Sequence, residues 1–218
     1  EGTFNATGVV LNGSGDSVAL GASPDYFAST TYDGWMDEFR VTYNSSVYTT
    51  TFVPPSAAFT AAVENIGAAD PYVTSVLQFE GSNGGTFIHD QMDVTWYREG
   101  AAALSNTTSK FGTTSLRVAN SNSDDGIKTQ VKILPTNGTT PFTIQAWARF
   151  DTLTSGTPNA IPYLPVFSQG ANMGNGDQMF GVIDGVVGMF CGSGLRGTGL
   201  TLKGRTAVPT NTWVLLEM

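Results

Sequence analysis

Two adjacent acids, Asp37 and Glu38, come closest in this sequence to a catalytic pair. A glycosidase needs two carboxylates that face one cleft at a separation of about 5–10 Å. Residues 35–42 have the pattern of a β-strand, and adjacent residues of a strand point to opposite faces of the sheet. The region around Glu80 has no second acid at a suitable spacing. The sequence therefore predicts no glycosidase chemistry.

The sequence also lacks the residues needed for nucleophilic catalysis or for a zinc site. His89 is the single histidine and Cys191 the single cysteine of the chain. A catalytic triad needs a histidine beside a nucleophile, and the sequence has no Gly-x-Ser-x-Gly motif. A thiolate zinc site needs several cysteines. We interpret His89 as a loop residue and Cys191 as a strand thiol, and we predict that the protein is not an enzyme.

Asp37 has two interpretations that the sequence leaves open. It precedes residues expected to point inward, so it should lie at the buried start of a strand. There it either accepts N–H hydrogen bonds from a turn or ligates Ca²⁺. In the second case Glu80 or Asp90 and backbone carbonyl oxygens complete the shell, because Ca²⁺ takes about six to eight oxygens and tolerates irregular loops. A second oxygen cluster at 124–126 has the sequence of an ordinary Asp-Gly turn.

Aromatic residues in loop-like stretches are the remaining lead to a ligand. Trp96, Tyr97 and Arg98 are consecutive and combine two aromatic faces with a hydrogen-bond donor. Sugar recognition uses such faces beside polar groups. The alternative is that these aromatic rings pack at the edge of a strand.

Composition and charge restrict the classes of partner. Charged residues make up 13% of the 218 residues, and the formal net charge is −8. Phosphate binding requires a basic face, so nucleic acid is excluded as a partner, as is an anionic membrane surface. No stretch approaches the roughly 18 apolar residues of a membrane-spanning helix, which predicts no membrane insertion.

Short apolar runs between Gly, Asn, Ser and Pro clusters predict an all-β protein, an antiparallel β-sandwich. The clearest strand, 142–150, alternates between one face with Phe142, Ile144, Ala146, Ala148 and Phe150 and another with Thr143, Gln145, Trp147 and Arg149. In 35–42 the same period places Phe39 and Val41 inward and Glu38 and Arg40 outward. Pro54 and Pro55 end this sheet region because they remove two backbone donors.

Several motifs together resemble laminin G-like and concanavalin A-like jelly-roll repeats. The closing strand and exit of such a repeat are similar to GWMDEFRVT at 34–42 and YTTTFVPP at 48–55. The opening of the repeat is similar to four later strings: LQFEGSNG at 77–84, TFIHD at 86–90, SKFGTTSL at 109–116 and PFTIQAW at 141–147. The family usually has Asp where Glu80 stands.

The order of these motifs predicts the domain organisation. Closing motifs precede opening motifs, so 1–56 resembles the C-terminal part of one repeat and 71–218 the first three-quarters of the next, with a linker at 57–70. The later strands of the second repeat would then have to come from the leading piece or from another chain.

Tandem repeats with this Pro-Pro exit look most like those of bacteriophage tail fibres and other virion surface proteins. The resemblance implies a non-catalytic structural or adhesion module at a virion surface or another extracellular location. Its expected partners are other virion subunits, further copies of itself and a host-surface glycan, with Ca²⁺ as the expected cofactor. The alternative is a lectin-like carbohydrate-binding module of a cellular adhesin or of a polysaccharide-degrading enzyme.

Overall fold

The computed structural model describes residues 17–22, 32–44, 53–60, 71–119, 125–131, 133–134, 140–153, 163–169, 177–192 and 200–218. In these stretches the chain forms strands and no helix, so no helix there has the length to cross a membrane. The strands are β1 (Val18–Leu20), β2 (Gly34–Tyr43), β3 (Val73–Leu77), β4 (Tyr97–Glu99), β5 (Ala103–Ser105), β6 (Ser115–Val118), β7 (Gly126–Thr129), β8 (Phe142–Phe150), β9 (Tyr163–Gln169), β10 (Asp177–Ile183), β11 (Val186–Gly192), β12 (Leu200–Ala207) and β13 (Val214–Glu217).

The strands make two antiparallel sheets, which confirms the prediction of an all-β sandwich. The seven-stranded sheet has the order β12-β11-β10-β9-β1-β7-β4, and the six-stranded sheet has the order β13-β8-β2-β6-β5 with β3 also paired to β2. The narrower expectation of a jelly roll stays a prediction.

The two strands nearest the start of the described chain are central in the two sheets. β1 lies between β7 and β9, and β2 pairs with β8 along nine residue pairs from Gly34 to Tyr43. Strands from both sides of the 57–70 segment therefore share both sheets. The leading piece supplies strands to the later one, which is one of the two arrangements that the motif order requires. The division of the chain at 57–70 into repeat units stays a prediction.

The alternation of β8 decides which side chains face the other sheet. Ile144, Ala146, Ala148 and Phe150 are buried in the core between the sheets, as predicted, and Trp147 belongs to a separate apolar cluster. Gln145, from the same face as Trp147, accepts two hydrogen bonds from Arg40 of β2 and donates one to Glu217 of β13. This second face is the outer face of the six-stranded sheet.

Aromatic side chains join the two sheets in the core. Phe39 of β2 is stacked on Phe167 of β9 at a centroid distance of 6.0 Å, and Trp96 meets the Phe39 ring edge-on at 6.3 Å. Each such ring contributes about 2–3 kcal/mol through burial. Tyr32 is buried beside Phe150, and this burial raises the pKa of its hydroxyl group. The hydroxyl donates a hydrogen bond to the Trp35 carbonyl oxygen.

Candidate functional site

A β-bulge brings Asp37 and Glu38 to the same face of the six-stranded sheet. The register between β2 and β8 shifts between Asp37 and Phe39, and Glu38 has a positive φ of 57°. Met36 and Phe39, on either side of the two acids, both point into the core. The prediction that the adjacent acids face opposite ways is therefore wrong, because one extra residue in the strand breaks the alternation.

Asp37 is fully buried and holds one loop onto the sheet. Its Oδ2 accepts hydrogen bonds from the backbone N–H groups of Lys110, at 2.7 Å, and Phe111, at 3.0 Å. Its Oδ1 has no hydrogen-bond partner among the described residues. The interpretation of Asp37 as an acceptor for a turn is confirmed by these bonds.

Glu38 holds a second segment in the same way. Its Oε2 accepts a hydrogen bond of 2.6 Å from the backbone N–H of Phe59, which comes from the segment predicted as a linker. The guanidinium of Arg40 lies 4.6 Å from the centre of the Phe59 ring. Sequence reasoning missed this contact because its partners are far apart along the chain.

Glu80 is exposed and completes a cluster of three carboxylates with Asp37 and Glu38. Its side chain accepts hydrogen bonds from the backbone N–H and the hydroxyl of Thr113. A Cβ at Gly112 would meet Glu80 Oε1 and the acid would have to move, and the positive φ of 56° also favours glycine at this position. Glu80 thus holds the same loop as Asp37, two residues further on.

Burial and mutual repulsion raise the pKa values of the two buried members of this carboxylate cluster (Asp37, Glu38, Glu80). Burial raises the pKa of Asp37 to about 7, against the lowering effect of the Phe111 and Lys110 N–H groups. Burial likewise raises the pKa of Glu38 to about 8, although the Phe59 N–H and the nearby charge of Arg40 lower it. Glu80 raises both pKa values by charge repulsion. Two buried carboxyl groups therefore carry protons close to neutral pH.

Asp90, the third predicted calcium ligand, belongs to a different network. Its Oδ1 accepts from the N–H groups of Val76 and Met92, and its Oδ2 accepts from Ser75 Oγ and Trp96 Nε1. It shares none of these partners with Asp37 or Glu80, so the structure brings together only two of the three predicted ligands. No group of three or more His, Cys, Asp or Glu side chains in the described stretches is arranged to hold a metal ion.

The second predicted oxygen cluster has a structural role at the residue that is described. Asp125 is buried, and its Oδ1 accepts a hydrogen bond of 2.7 Å from the backbone N–H of Ala101. Asp124 lies outside the described residues. Asp125 therefore fixes the turn between β4 and β5 at its position just before β7.

The aromatic triplet is divided between core and surface. Trp96 is 5% exposed and donates its indole N–H to Asp90, so its ring is a core element rather than a face for a ligand. Tyr97 is 57% exposed and Arg98 is exposed beside it, both on β4 at the edge of the seven-stranded sheet. His89 is exposed, and the side chain of Cys191 lies outside the described residues.

An apolar cluster surrounds the carboxylates on the outer face. Phe59, Val73, Val76 and Trp147 are buried together there, and Phe111 packs edge-on against Trp147 at 6.0 Å. The ammonium of Lys110 lies 4.1 Å from the centre of the Trp147 ring. The carboxylate cluster thus binds the backbone of two segments whose side chains cover Trp147.

Comparison with known proteins does not assign this chain to a family. No protein-family model, no curated protein and no solved structure matches the chain.

The raised pKa values predict that the protein loses stability as pH rises through neutrality. Between about pH 5 and pH 8 the folded state keeps protons on Asp37 and Glu38 that the unfolded state has released, so the free energy of unfolding falls with pH. We expect a loss on the order of 3 kcal/mol between pH 5 and pH 9, measured by urea unfolding.

The matched control is the double variant Asp37→Asn, Glu38→Gln. Both amides keep an oxygen that accepts the loop N–H groups but have no proton to lose, so the pH profile should flatten. A wild-type profile that is already flat, or one that the double variant leaves unchanged, contradicts the prediction. Glu80, Arg40, Lys110 and Glu217 are charged groups of this face that both proteins retain. Burial also raises the pKa of Glu217, so its share of the pH dependence remains in the double variant.

Proposed function

We propose that the chain is a non-catalytic structural and adhesion module of a virion surface assembly, such as a tail fibre, a spike or a decoration protein. The observation that carries the non-catalytic part is the use of the acids. Asp37 and Glu38 are buried and accept hydrogen bonds from the backbone N–H groups of Lys110, Phe111 and Phe59. Their role is therefore to hold loops against the sheet. A catalytic pair instead has to face a bound substrate.

The virion placement is supported by the motifs of the sequence and by their order. The strings at 34–42 and 48–55 resemble the end of a tandem jelly-roll repeat, and those from 77 onward resemble its beginning. The two antiparallel sheets are compatible with such a repeat. Further copies of this chain and other virion subunits are the partners that this function requires, at an extracellular surface.

The proposed function predicts no hydrolysis of β-glucans or simple esters by the purified chain. Because the bulge places both acids under the loops at 59 and 110–111, no substrate reaches their oxygens. Reducing-sugar release and ester cleavage should equal those of the Glu38→Gln variant at every pH. Turnover by the wild type that Glu38→Gln abolishes would overturn the non-catalytic assignment.

Calcium remains part of the proposal, now on Asp37 and Glu80 without Asp90. The buried Asp37 Oδ1 has no partner among the described residues, and Glu80 is close enough to raise the pKa of Asp37. Carboxylate and backbone carbonyl oxygens are the ligands that Ca²⁺ takes. A cation between the two acids would replace the proton that burial retains on Asp37.

Calcium should therefore raise the melting temperature at pH 8. Binding to the folded state alone adds about 2.7 kcal/mol at a hundredfold excess over Kd, a shift of roughly 5–10 °C for a chain of this size. Melts with Ca²⁺ and with a chelator test this, with Asp37→Asn as the variant that should lose the response. Equal melting temperatures for the wild type would leave Asp37 as a backbone acceptor only.

Glycan binding is a second candidate function, favoured by the exposed pair Tyr97 and Arg98. They lie on β4, the outermost strand of its sheet, with side chains on opposite faces, so Tyr97 offers the aromatic face to a ligand and Arg98 a guanidinium on the other side of the sheet edge. Trp96 contributes only indirectly, because its burial against Phe39 fixes the position of the strand start.

The glycan proposal predicts that Tyr97→Ala abolishes any signal on a glycan array. The matched control is Tyr72→Ala, since Tyr72 is also exposed but precedes β3 of the other sheet. We expect the control to bind like the wild type. A signal that both variants retain would remove β4 as the binding surface.

A further inference from the structure

Phe59 is the single buried residue of the described segment 53–60. Phe59 is 3% exposed, while Val53, Pro54, Ser56, Ala57 and Thr60 are exposed and the other two are half-buried. The segment contains no charged residue. An exposed segment held by one buried aromatic side chain is how short peptides dock on protein surfaces, because one anchor carries most of the binding energy.

Residues on or next to the six-stranded sheet contact the ring, the backbone N–H and the backbone carbonyl oxygen of Phe59. The Phe59 ring is buried with Val73, Val76 and Trp147, under the Arg40 guanidinium. The backbone N–H of Phe59 donates to Glu38 Oε2, and its carbonyl oxygen accepts from Gln78 Nε2 at 2.8 Å. Ring, donor and acceptor thus each have a matching group, as in a binding site for an extended peptide.

Segment 53–60 lies between β2 and β3 in the sequence, and the end of β2 is hydrogen-bonded to the residue before β3. β2 ends at Tyr43 and β3 begins at Val73, yet the N–H of Tyr43 donates to the Tyr72 carbonyl oxygen at 2.8 Å. The pairing of β2 with β3 therefore does not depend on where 53–60 lies. No strand pair between described residues includes a residue of 53–60.

We propose that the surface formed by Glu38, Arg40, Val76, Gln78 and Trp147 is a docking site for an uncharged peptide with one aromatic anchor, and that residues 53–60 of a second copy occupy it when copies are packed together. The site itself stands on the contacts above, and its use between copies rests on the proposed function. Within one chain the segment competes at an effective concentration on the order of millimolar. Exchange between copies is therefore a property of an assembly and not of dilute protein.

A peptide tests the site on the full-length chain. The probe is a fluorescent peptide with the sequence of residues 53–60, and binding is followed by fluorescence polarisation. The Phe59→Ala chain, whose site is vacated, should bind it saturably and at least about tenfold more tightly than the wild type, where the chain's own segment competes. A peptide with Ala in place of Phe should not bind.

Two further variants make this test decisive. Phe87→Ala removes another exposed phenylalanine and leaves Phe59 in place, so it should bind the peptide no better than the wild type. Should Phe59→Ala fail to melt cooperatively, Phe59→Leu keeps an apolar anchor and should still bind the peptide better than the wild type. A folded Phe59→Ala or Phe59→Leu chain that does not discriminate between the two peptides overturns the site.

Complementation tests the exchange between copies. The double variant Glu38→Gly, Gln78→Ala loses both backbone contacts of the site, and glycine suits the positive φ at position 38. Its own site holds the 53–60 segment more weakly, so that segment should bind the vacated but otherwise intact site of the Phe59→Ala chain, giving a heterodimer by light scattering at high concentration while neither variant dimerises alone. If the peptide binds but no heterodimer forms, the exchange of segment 53–60 between copies is wrong and the docking site still stands. The hydrolysis assays judge the proposed function independently of both results.

Discussion

Hydrogen bonds from loop backbone N–H groups to carboxylates hold the irregular parts of this fold against its sheets. Asp37, Glu38, Glu80, Asp90 and Asp125 each accept at least one such bond. A buried N–H without a partner costs about 1–3 kcal/mol, and an ionised acceptor makes a stronger bond than a neutral one. In a chain with only 13% charged residues, these five acids thus stand where loops meet the sheets. The same burial raises the pKa of Asp37 and Glu38, so loop attachment and protonation are linked.

The regular part of the fold could be predicted from periodicity. β8 is long and alternates cleanly, and the two sets of residues that the pattern grouped together lie on its two faces. Phe39 and Val41 point inward for the same reason. A period of two is a local property, so a single sequence is enough to reveal it.

The candidate site could be predicted only in part, because it depends on one local irregularity and on distant contacts. Asp37 was identified as a buried acceptor, but the bulge at Glu38 inserts a residue that alternation cannot reveal. The sequence left Trp96 open between a ligand-binding face and packing at a strand edge, because its contacts with Asp90 and Phe39 depend on the fold. The sequence did not reveal that Phe59 is buried. Its only nearby feature is the preceding Pro-Pro pair, and its partners on β2 and β8 come close only in the folded structure.

The central position of β2 has a consequence for how the chain folds during its synthesis. β2 ends at Tyr43, and its main partner β8 is complete only at Phe150, roughly a hundred residues later. At about 5–20 residues per second, a ribosome needs on the order of 5–20 s to make that interval. Throughout this time Met36, Phe39 and Val41 have no sheet to cover them. β3 is complete at Leu77 and can pair with one edge of β2 before then, but the edge that β8 covers stays open. The nascent chain therefore exposes an apolar strand with an open edge, and closure of the sandwich is a late step in which aggregation and folding compete.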